Sequence, residues 1–189
     1  PRLLDELGAA GELAWIGRGS PGRDYGKLAL FRRDHLAEIA PPPAADAEPG
    51  DLGERMLAEL REHGASFFAE LVRASGTTHP REALEALWEL VWTGRITNDT
   101  FAPVRALAWP RRGKPSPRSS RSLVPPEAAG RWSLVRQRDD VSATARAHAL
   151  ARALLDRYGG VTREAVAAEA IGGGCAAGYP VLKAMEEWG

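Results

Sequence analysis

The segment Leu87-Trp88-Glu89-Leu90-Val91-Trp92-Thr93-Gly94-Arg95-Ile96-Thr97-Asn98 carries the pattern that decides the fold. Its residues Leu87 and Leu90 lie three positions apart, which is the spacing of the buried stripe of a helix. Gly94 can end that helix, and the β-branched residues that follow favour a short strand. The segment therefore predicts a helix, a glycine stop and a strand in succession.

The same helix ending occurs at two other places in the chain. Leu4-x-x-Leu7-x-x-x-Gly11 and Leu182-x-x-Met185-x-x-x-Gly189 have the spacing of Leu87-x-x-Leu90-x-x-x-Gly94. We expect the six apolar residues to be buried at equivalent positions of an internal repeat. Short apolar pairs that end in glycine also occur in α-rich proteins without a repeat, so the residues upstream decide between the two interpretations.

The second and third copies continue to match upstream. In both, a further glycine ends an apolar-periodic helix, predicted over residues 52–63 and 143–158, and a second helix follows with Ser66 or Thr162 as its N-cap. The matching glycines are Gly64 with Gly94, and Gly159 with Gly189. The predicted unit is three helices followed by a β-hairpin, which is a helix-turn-helix motif with a wing.

This repeat predicts an α+β, mainly helical protein made of tandem winged-helix units, of which we expect the outer two to be truncated. The first wing is predicted from strands at 12–16 and 27–31, joined by a glycine-rich loop. The expected domains are 1–40 (third helix, wing and following helix of the first unit), 51–108 (second unit), 109–129 (basic linker) and 130–189 (start of the third unit).

The composition excludes several classes of protein. Lys+Arg and Asp+Glu both total 25 residues, so no global basic charge points to nucleic acid. Cys175 is the one cysteine and the four histidines lack ligand spacing, so we expect neither a disulfide nor a metal site. No apolar run is long enough for a membrane span, and the N-terminus has no signal-peptide pattern. We expect a cytoplasmic protein without membrane contact.

Charge is nevertheless uneven along the chain. Residues 51–94 contain eight acidic and four basic residues, whereas residues 95–138 contain ten basic and two acidic ones. A basic stretch favours contact with phosphate, although a solvated linker has the same composition. The candidate nucleic-acid-binding residues on the predicted wings and in this stretch are Arg18, Arg23, Lys27, Arg95, Arg111, Arg112, Lys114, Arg118, Arg121 and Arg131.

Aromatic residues give one further candidate for nucleic-acid binding. Trp132 adjoins Arg131, and an aromatic side chain beside a basic one can stack on single-stranded bases. Trp132 is therefore kept as a candidate, although core packing is favoured over stacking for it. Core packing is also our expectation for Trp88, which adjoins the apolar stripe of its helix. The glycines of 17–22 match the letters of a dinucleotide fingerprint, but a strand follows them rather than a helix, so a wing loop fits better.

Catalytic residues are not expected in this chain. Gln137 and Asp139, in Gln137-Arg138-Asp139, are weak candidates, since a carboxylate can activate water and an amide can orient it. A surface turn near a helix start explains the same residues. The chain also has no Gly-Lys-Ser/Thr phosphate loop, so we expect no ATPase activity from it.

The segment from Trp88 to Pro103, which includes Gly94-Arg95-Ile96-Thr97-Asn98-Asp99, resembles the C-terminal region of bacterial large helicase-related (Lhr) proteins. Gly64-Ala65-Ser66-Phe67-Phe68 and Gly130-Arg131-Trp132-Ser133-Leu134 are also similar to that family. The resemblance implies a parent chain that is an ATP-dependent superfamily 2 DNA helicase, a hydrolase that translocates on single-stranded DNA in DNA repair. ATP and Mg would belong to the motor of that parent chain, and no cofactor is expected in this segment.

The C-terminal part of the family is in turn similar to winged-helix DNA glycosylases that use a Gln-x-Gln or Gln-x-Asp motif. Gln137-Arg138-Asp139 matches those letters, but Val135-Arg136 precedes it where the motif has an apolar strand. The leading interpretation is a DNA-binding accessory region of a helicase, which contacts backbone phosphates of DNA, mainly single-stranded, and works beside the motor of the same chain. A glycosylase-like base-excision module and a protein-interaction array of winged helices are the alternatives.

Overall fold

A computed structural model describes residues 2–19, 26–40, 43, 48–108, 124–135 and 141–160. The helices are α1 (Arg2–Ala9), α2 (Arg33–Ile39), α3 (Asp51–His63), α4 (Phe68–Ser75), α5 (Pro80–Trp92), α6 (Ala102–Ala108) and α7 (Ala143–Tyr158). The strands are β1 (Leu13–Gly17), β2 (Leu28–Arg32), β3 (Ser66–Phe67), β4 (Ile96–Asn98) and β5 (Arg131–Leu134), and a 3₁₀ turn covers Pro126–Ala128. The predicted α+β, mainly helical class is confirmed.

The centre of the larger compact unit, which comprises residues 1–34 and 41–136, is a bundle of α3, α4 and α5 beside a small antiparallel sheet. Helix α3 buries Met56, Leu57 and Leu60, and α5 buries Leu87 and Leu90 against them. Helix α3 also has acidic residues in its first turn and basic ones in its last, which suits the helix dipole. Apolar stripes on both helices therefore build the core that supports the sheet.

The sheet of this unit has the strand order β3-β5-β4. Strand β5 is antiparallel to both neighbours, with Ile96 opposite Leu134 and Ser66 opposite Trp132. The segment 109–129, expected as a linker between units, therefore lies between two paired strands of one sheet. Residues 131–134 likewise belong to the second winged-helix unit rather than to the start of a third. The expected domain bounds differ because β4 and β5 pair across a long connection, and local sequence patterns do not specify such a pairing.

The β1–β2 hairpin belongs to the same compact unit. Its strands lie one residue beyond the predicted 12–16 and 27–31. Trp15 of β1 is in the shared core, where its ring makes an edge contact with Trp132 and its Nε1 donates a hydrogen bond to the Thr100 carbonyl oxygen at 3.0 Å. The expected domain 1–40 is therefore divided, because residues 1–34 pack with the second winged-helix unit and 35–40 with α7.

The smaller compact unit contains residues 35–40 and 137–189, of which 35–40 and 141–160 are described. Ser142 caps α7 by accepting a hydrogen bond from the Ala145 N–H at 3.1 Å, and Arg146 donates to the Ala40 carbonyl oxygen at 2.7 Å. Leu36 and Leu154 are buried in this unit. The helix predicted over 143–158 is confirmed with the same bounds.

Positive φ angles support the predicted helix ends, at Gly11, Gly64, Gly94 and Gly159. Leu87 and Leu90 are fully buried, whereas Leu4 and Leu7 are only half-buried. Thr162, Leu182, Met185 and Gly189 lie outside the described residues. The predicted N-cap at Ser66 is wrong: Ser66 is paired in β3, its hydroxyl donates to the Gly64 carbonyl oxygen, and α4 starts two residues later.

Candidate nucleic-acid interface

The base of the first wing places two of the predicted basic residues side by side. The Arg18 N–H donates to the Lys27 carbonyl oxygen at 2.8 Å, and both side chains are exposed. The Gly19 N–H donates to the Trp92 carbonyl oxygen at 2.9 Å, which ties this loop to the end of α5. Arg23, the third candidate on this loop, lies outside the described residues. The hairpin thus presents two cations at a fixed place.

The base of the second wing, between β4 and β5, is cross-linked by polar side chains. The Asn98 amide donates to the Ala129 carbonyl oxygen at 3.0 Å, and its Oδ1 accepts from the Thr100 N–H at 2.9 Å. The carboxylate of Asp99 accepts from the Arg131 N–H at 2.8 Å and from Arg131 Nε at 3.0 Å. Asn98, the last residue of β4, and Asp99, which follows it, thereby hold the chain where it enters β5.

Gly130 completes this base. It has φ 83°, a left-handed conformation that residues with a side chain rarely adopt. A Cβ at this position would also collide with Oδ1 of Asn98. The return of the wing therefore depends on glycine, because both the backbone angle and the close approach of Asn98 exclude a larger residue.

The basic run of the second wing lies outside the described residues, but its attachment points are described. Residues 109–123 contain five basic residues and no acidic residue, namely Arg111, Arg112, Lys114, Arg118 and Arg121. The Cα register pairs Asn98 with Trp132, so both ends of the connection emerge from neighbouring strands. In the sequence, the run therefore lies within the connection between two paired strands of the second unit.

The structure places the remaining candidates differently. Trp132 is 0% exposed, and its Nε1 donates to the Ala128 carbonyl oxygen at 3.2 Å. The prediction that Trp132 stacks on bases is therefore wrong, because its ring lies on the core face of β5. Arg131 is on the opposite face and exposed, while Arg95 is half-buried just before β4. Trp88 lies in the core as predicted.

Helix α5 occupies the position of the recognition helix of a helix-turn-helix motif, but its exposed face is acidic. Glu82, Glu85 and Glu89 recur along it, and Glu82 and Glu89 are exposed. Glu82 accepts a hydrogen bond from the Thr77 hydroxyl at 2.9 Å, and Glu85 pairs with Arg81 at 3.5 Å. This side would repel phosphate, so the wings rather than α5 offer the electrostatic attraction that a nucleic acid needs.

Asp5 of α1 anchors the chain that leads into the second wing. Its carboxylate accepts hydrogen bonds from the Phe101 N–H at 2.8 Å and from the Arg105 guanidinium at 2.6 Å. Partial burial acts to raise the pKa of Asp5, but the hydrogen bonds and positive charge of Arg105 and the Phe101 N–H outweigh it and hold the pKa below 3.8. Arg105 is thus engaged by this carboxylate in the folded chain.

Sequence reasoning missed four residues of this region: Asp5, Phe67, Asn98 and Asp99. Asp5 acts across a separation of about a hundred positions, which no local pattern reveals. Phe67 lies on the edge strand with 56% of its surface exposed. A strand sends neighbouring side chains to opposite faces, so a strand at Ser66-Phe67 with Ser66 buried places Phe67 on the exposed face.

Chemistry other than binding finds no support in the described part of the chain. Gln137 and Asp139 lie outside it. Within residues 2–19, 26–40, 43, 48–108, 124–135 and 141–160, no three His, Cys, Asp or Glu side chains cluster as metal ligands would. None of the helices described there is both long and apolar enough to cross a membrane.

Three helices, a three-stranded antiparallel sheet and a long connection between its last two strands define a winged-helix protein. Residues 140–189 match the family model of the large helicase-related protein, winged-helix domain. The whole chain is 42% identical to a protein of Mycolicibacterium smegmatis named Lhr helicase/probable uracil glycosylase. Over 99% of its length it is 38% identical to the Lhr helicase/uracil glycosylase of Escherichia coli K12. The chain belongs to the large helicase-related family, as a winged-helix segment of it.

The chain spans 14% of the length of each of these two relatives. The aligned segment is the C-terminal part of both, in agreement with the resemblance noted from the sequence.

Proposed function

We propose that this chain is a DNA-binding accessory region of an ATP-dependent DNA helicase that works in DNA repair. The observation that carries the proposal is the pairing of β4 with β5, because the five-cation, acid-free run 109–123 lies in the sequence between these two strands of a winged helix. Contact is made mainly with backbone phosphates, because the wings bear the exposed cations and the face of α5 is acidic.

Two basic residues of this region already have acidic partners in the protein. Arg105 is bound by Asp5 and Arg131 is paired with Asp99, so these two charges are partly neutralised. The run 109–123 has no acidic residue within it. Phosphate contacts release condensed counterions, so binding through this run depends steeply on salt and hardly on base sequence.

The proposed setting follows from the family. The names of the two relatives include a helicase, which supports DNA as the ligand and the motor of the same parent chain as a partner. Single-stranded DNA as the form of the ligand is part of our proposal. ATP and Mg bind in that motor, and the parent chain works in the cytoplasm.

The experiment replaces Arg111, Arg112, Lys114, Arg118 and Arg121 together by Ser and measures DNA affinity across a salt series. Each phosphate contact adds about 0.7 to the logarithmic salt slope on single strands and about 0.9 on duplex DNA. If all five residues engage, the slope falls by about 3.5 to 4.5 units and base preference hardly changes.

The matched control compares two triple variants of equal charge. One replaces Arg111, Arg112 and Lys114 by Ser in the wing, and the other replaces Arg61, Arg73 and Arg81 by Ser, which are exposed on α3, α4 and α5. Only the wing variant should flatten the slope. Equal slopes in the two variants would mean that the run is a solvated connection, and would favour a protein-interaction role for the winged helices.

A base-excision activity is the second candidate, because the names of both relatives include a uracil glycosylase. Gln137 and Asp139 are the residues that would serve it. In our preferred interpretation they are dispensable for excision by the parent chain. Loss of uracil release on Asp139→Asn, with folding and DNA affinity unchanged, would instead establish the glycosylase candidate.

A further inference from the structure

Phe67 is an exposed aromatic residue on a rigid support. The residue is 56% exposed and lies on β3, an edge strand of the sheet. Its backbone is held twice, because its N–H donates to the Glu70 carboxylate at 2.7 Å and its strand pairs with β5. A ring held in this way loses little conformational freedom when it contacts a flat partner.

The strand register places a cation beside this ring. Phe67 lies directly opposite Arg131 in the antiparallel pair β3–β5, and both side chains are exposed while their neighbours Ser66 and Trp132 are buried. Opposite residues share a face, with Cβ atoms about 4.5–5.5 Å apart. Phe67 and Arg131 therefore lie opposite each other on the exposed face of the sheet.

Arg131 is oriented rather than fully neutralised by its partner. Its Nε donates to Asp99 Oδ2 at 3.0 Å, and its side chain keeps 53% exposure. Among the described residues, its side-chain hydrogen bonds are made through Nε, so the two terminal nitrogens remain for a phosphate. Arg131 also lies in β5, at the return of the wing that carries the basic run.

We infer that Phe67 and Arg131 form a stacking site for one unpaired base of a single strand, with the ring under the base and the guanidinium at the adjoining phosphate. The inference rests on the proposed DNA-binding function and adds a site that contacts one base of the ligand. A base inside a duplex is already stacked on both faces, so an exposed aromatic ring selects unpaired bases.

The test uses the whole chain with single-stranded oligothymidine and a duplex of equal length. Phe67→Ala should weaken single-strand binding by roughly 5- to 150-fold, which corresponds to the ~1–3 kcal/mol of one stacked base. Duplex binding and the salt slope should stay unchanged, since no charge is lost. Phe67→Trp should keep or raise single-strand affinity. Leu30→Ala, which shortens another exposed apolar side chain, should leave both affinities as they are.

A second measurement reports stacking directly. An oligonucleotide with one 2-aminopurine should lose fluorescence on binding the natural chain and keep it on binding Phe67→Ala. If the natural chain binds neither DNA, the proposed function fails. If it binds both, but Phe67→Ala and Phe67→Trp bind single strands as the natural chain does, the stacking site is wrong while the proposed function stands.

Discussion

The two hairpins of the larger compact unit have the same topology but different surroundings. In β1 four consecutive residues, 14–17, are buried, and Gly17 lies so close to the Val91 carbonyl oxygen that a Cβ there would collide with it. The β4–β5 pair instead has a base of polar side chains and a connection that contains the basic run. The first hairpin mainly completes the core, whereas five basic residues lie in the sequence between the two strands of the second.

This difference shows why a wing cannot be assigned a role from its topology alone. The first loop is attached to the end of α5 at its start, where the Gly19 N–H donates a hydrogen bond to the Trp92 carbonyl oxygen. The described ends of the long second connection are held by Asn98 and Asp99, and its start is also held by the hydrogen bond from the Phe101 N–H to Asp5. Burial and charge, rather than strand order, distinguish the hairpin that completes the core from the one that we propose binds DNA.

The largest expected effect concerns the structural hairpin. Trp15→Ala removes a ring that is 1% exposed and contacts Phe101 and Trp132. The free energy of unfolding should fall by about 3–5 kcal/mol, as for other buried Trp-to-Ala changes. Urea unfolding followed by circular dichroism measures it.

Leu30→Ala is the matched control for this change, because Leu30 lies opposite Trp15 in the register but is 42% exposed. It should cost much less. If the two variants lose similar stability, β1 does not contribute to the core in the way described.

A smaller effect is expected from the cations of the first hairpin. Replacing Arg18 and Lys27 together by Ser should reduce the salt slope of DNA binding by at most about 1.4 units on single strands, and less if one side chain makes no contact. Arg61 and Arg73 replaced by Ser carry the same charge change on the helices and serve as the control. A loss of slope larger than that of the five-residue wing variant would reverse the roles of the two hairpins.

The smallest effect concerns the anchor of the second hairpin. Because the folded pKa of Asp5 lies below 3.8, its carboxylate stabilises the fold at pH values above the unfolded pKa. That contribution is lost as the pH falls through the folded pKa. Asp5→Asn should therefore be less stable than the natural chain at pH 7, by less than about 1 kcal/mol, since the ion pair is partly exposed.

The measurement is the free energy of unfolding of both proteins from pH 7 to pH 3. The difference between them should be constant down to about pH 5 and should shrink below the unfolded pKa of 3.8. A difference that grows as the pH falls would contradict the sign of the pKa shift.

Much of the local structure follows from short-range patterns in the sequence. The helices predicted over 52–63 and 143–158 and the strand after Gly94 are confirmed to within one residue. These elements depend on apolar spacing, glycine stops and capping, which act between residues a few positions apart. The family resemblance rests on the same local segments.

The pairing of distant strands, in contrast, depends on tertiary packing. The residues 99–130 separate β4 from β5, and the pairing of such distant strands depends on which strand buries its apolar face. That pairing puts the expected linker between two paired strands of one sheet, Trp132 in the core and Phe67 opposite Arg131 in the register. Local patterns specified helices α3 and α7, their glycine ends and the charge of the run, because those properties depend on residues a few positions apart. The partner of each strand and the exposed face of each aromatic ring are properties of the packed whole.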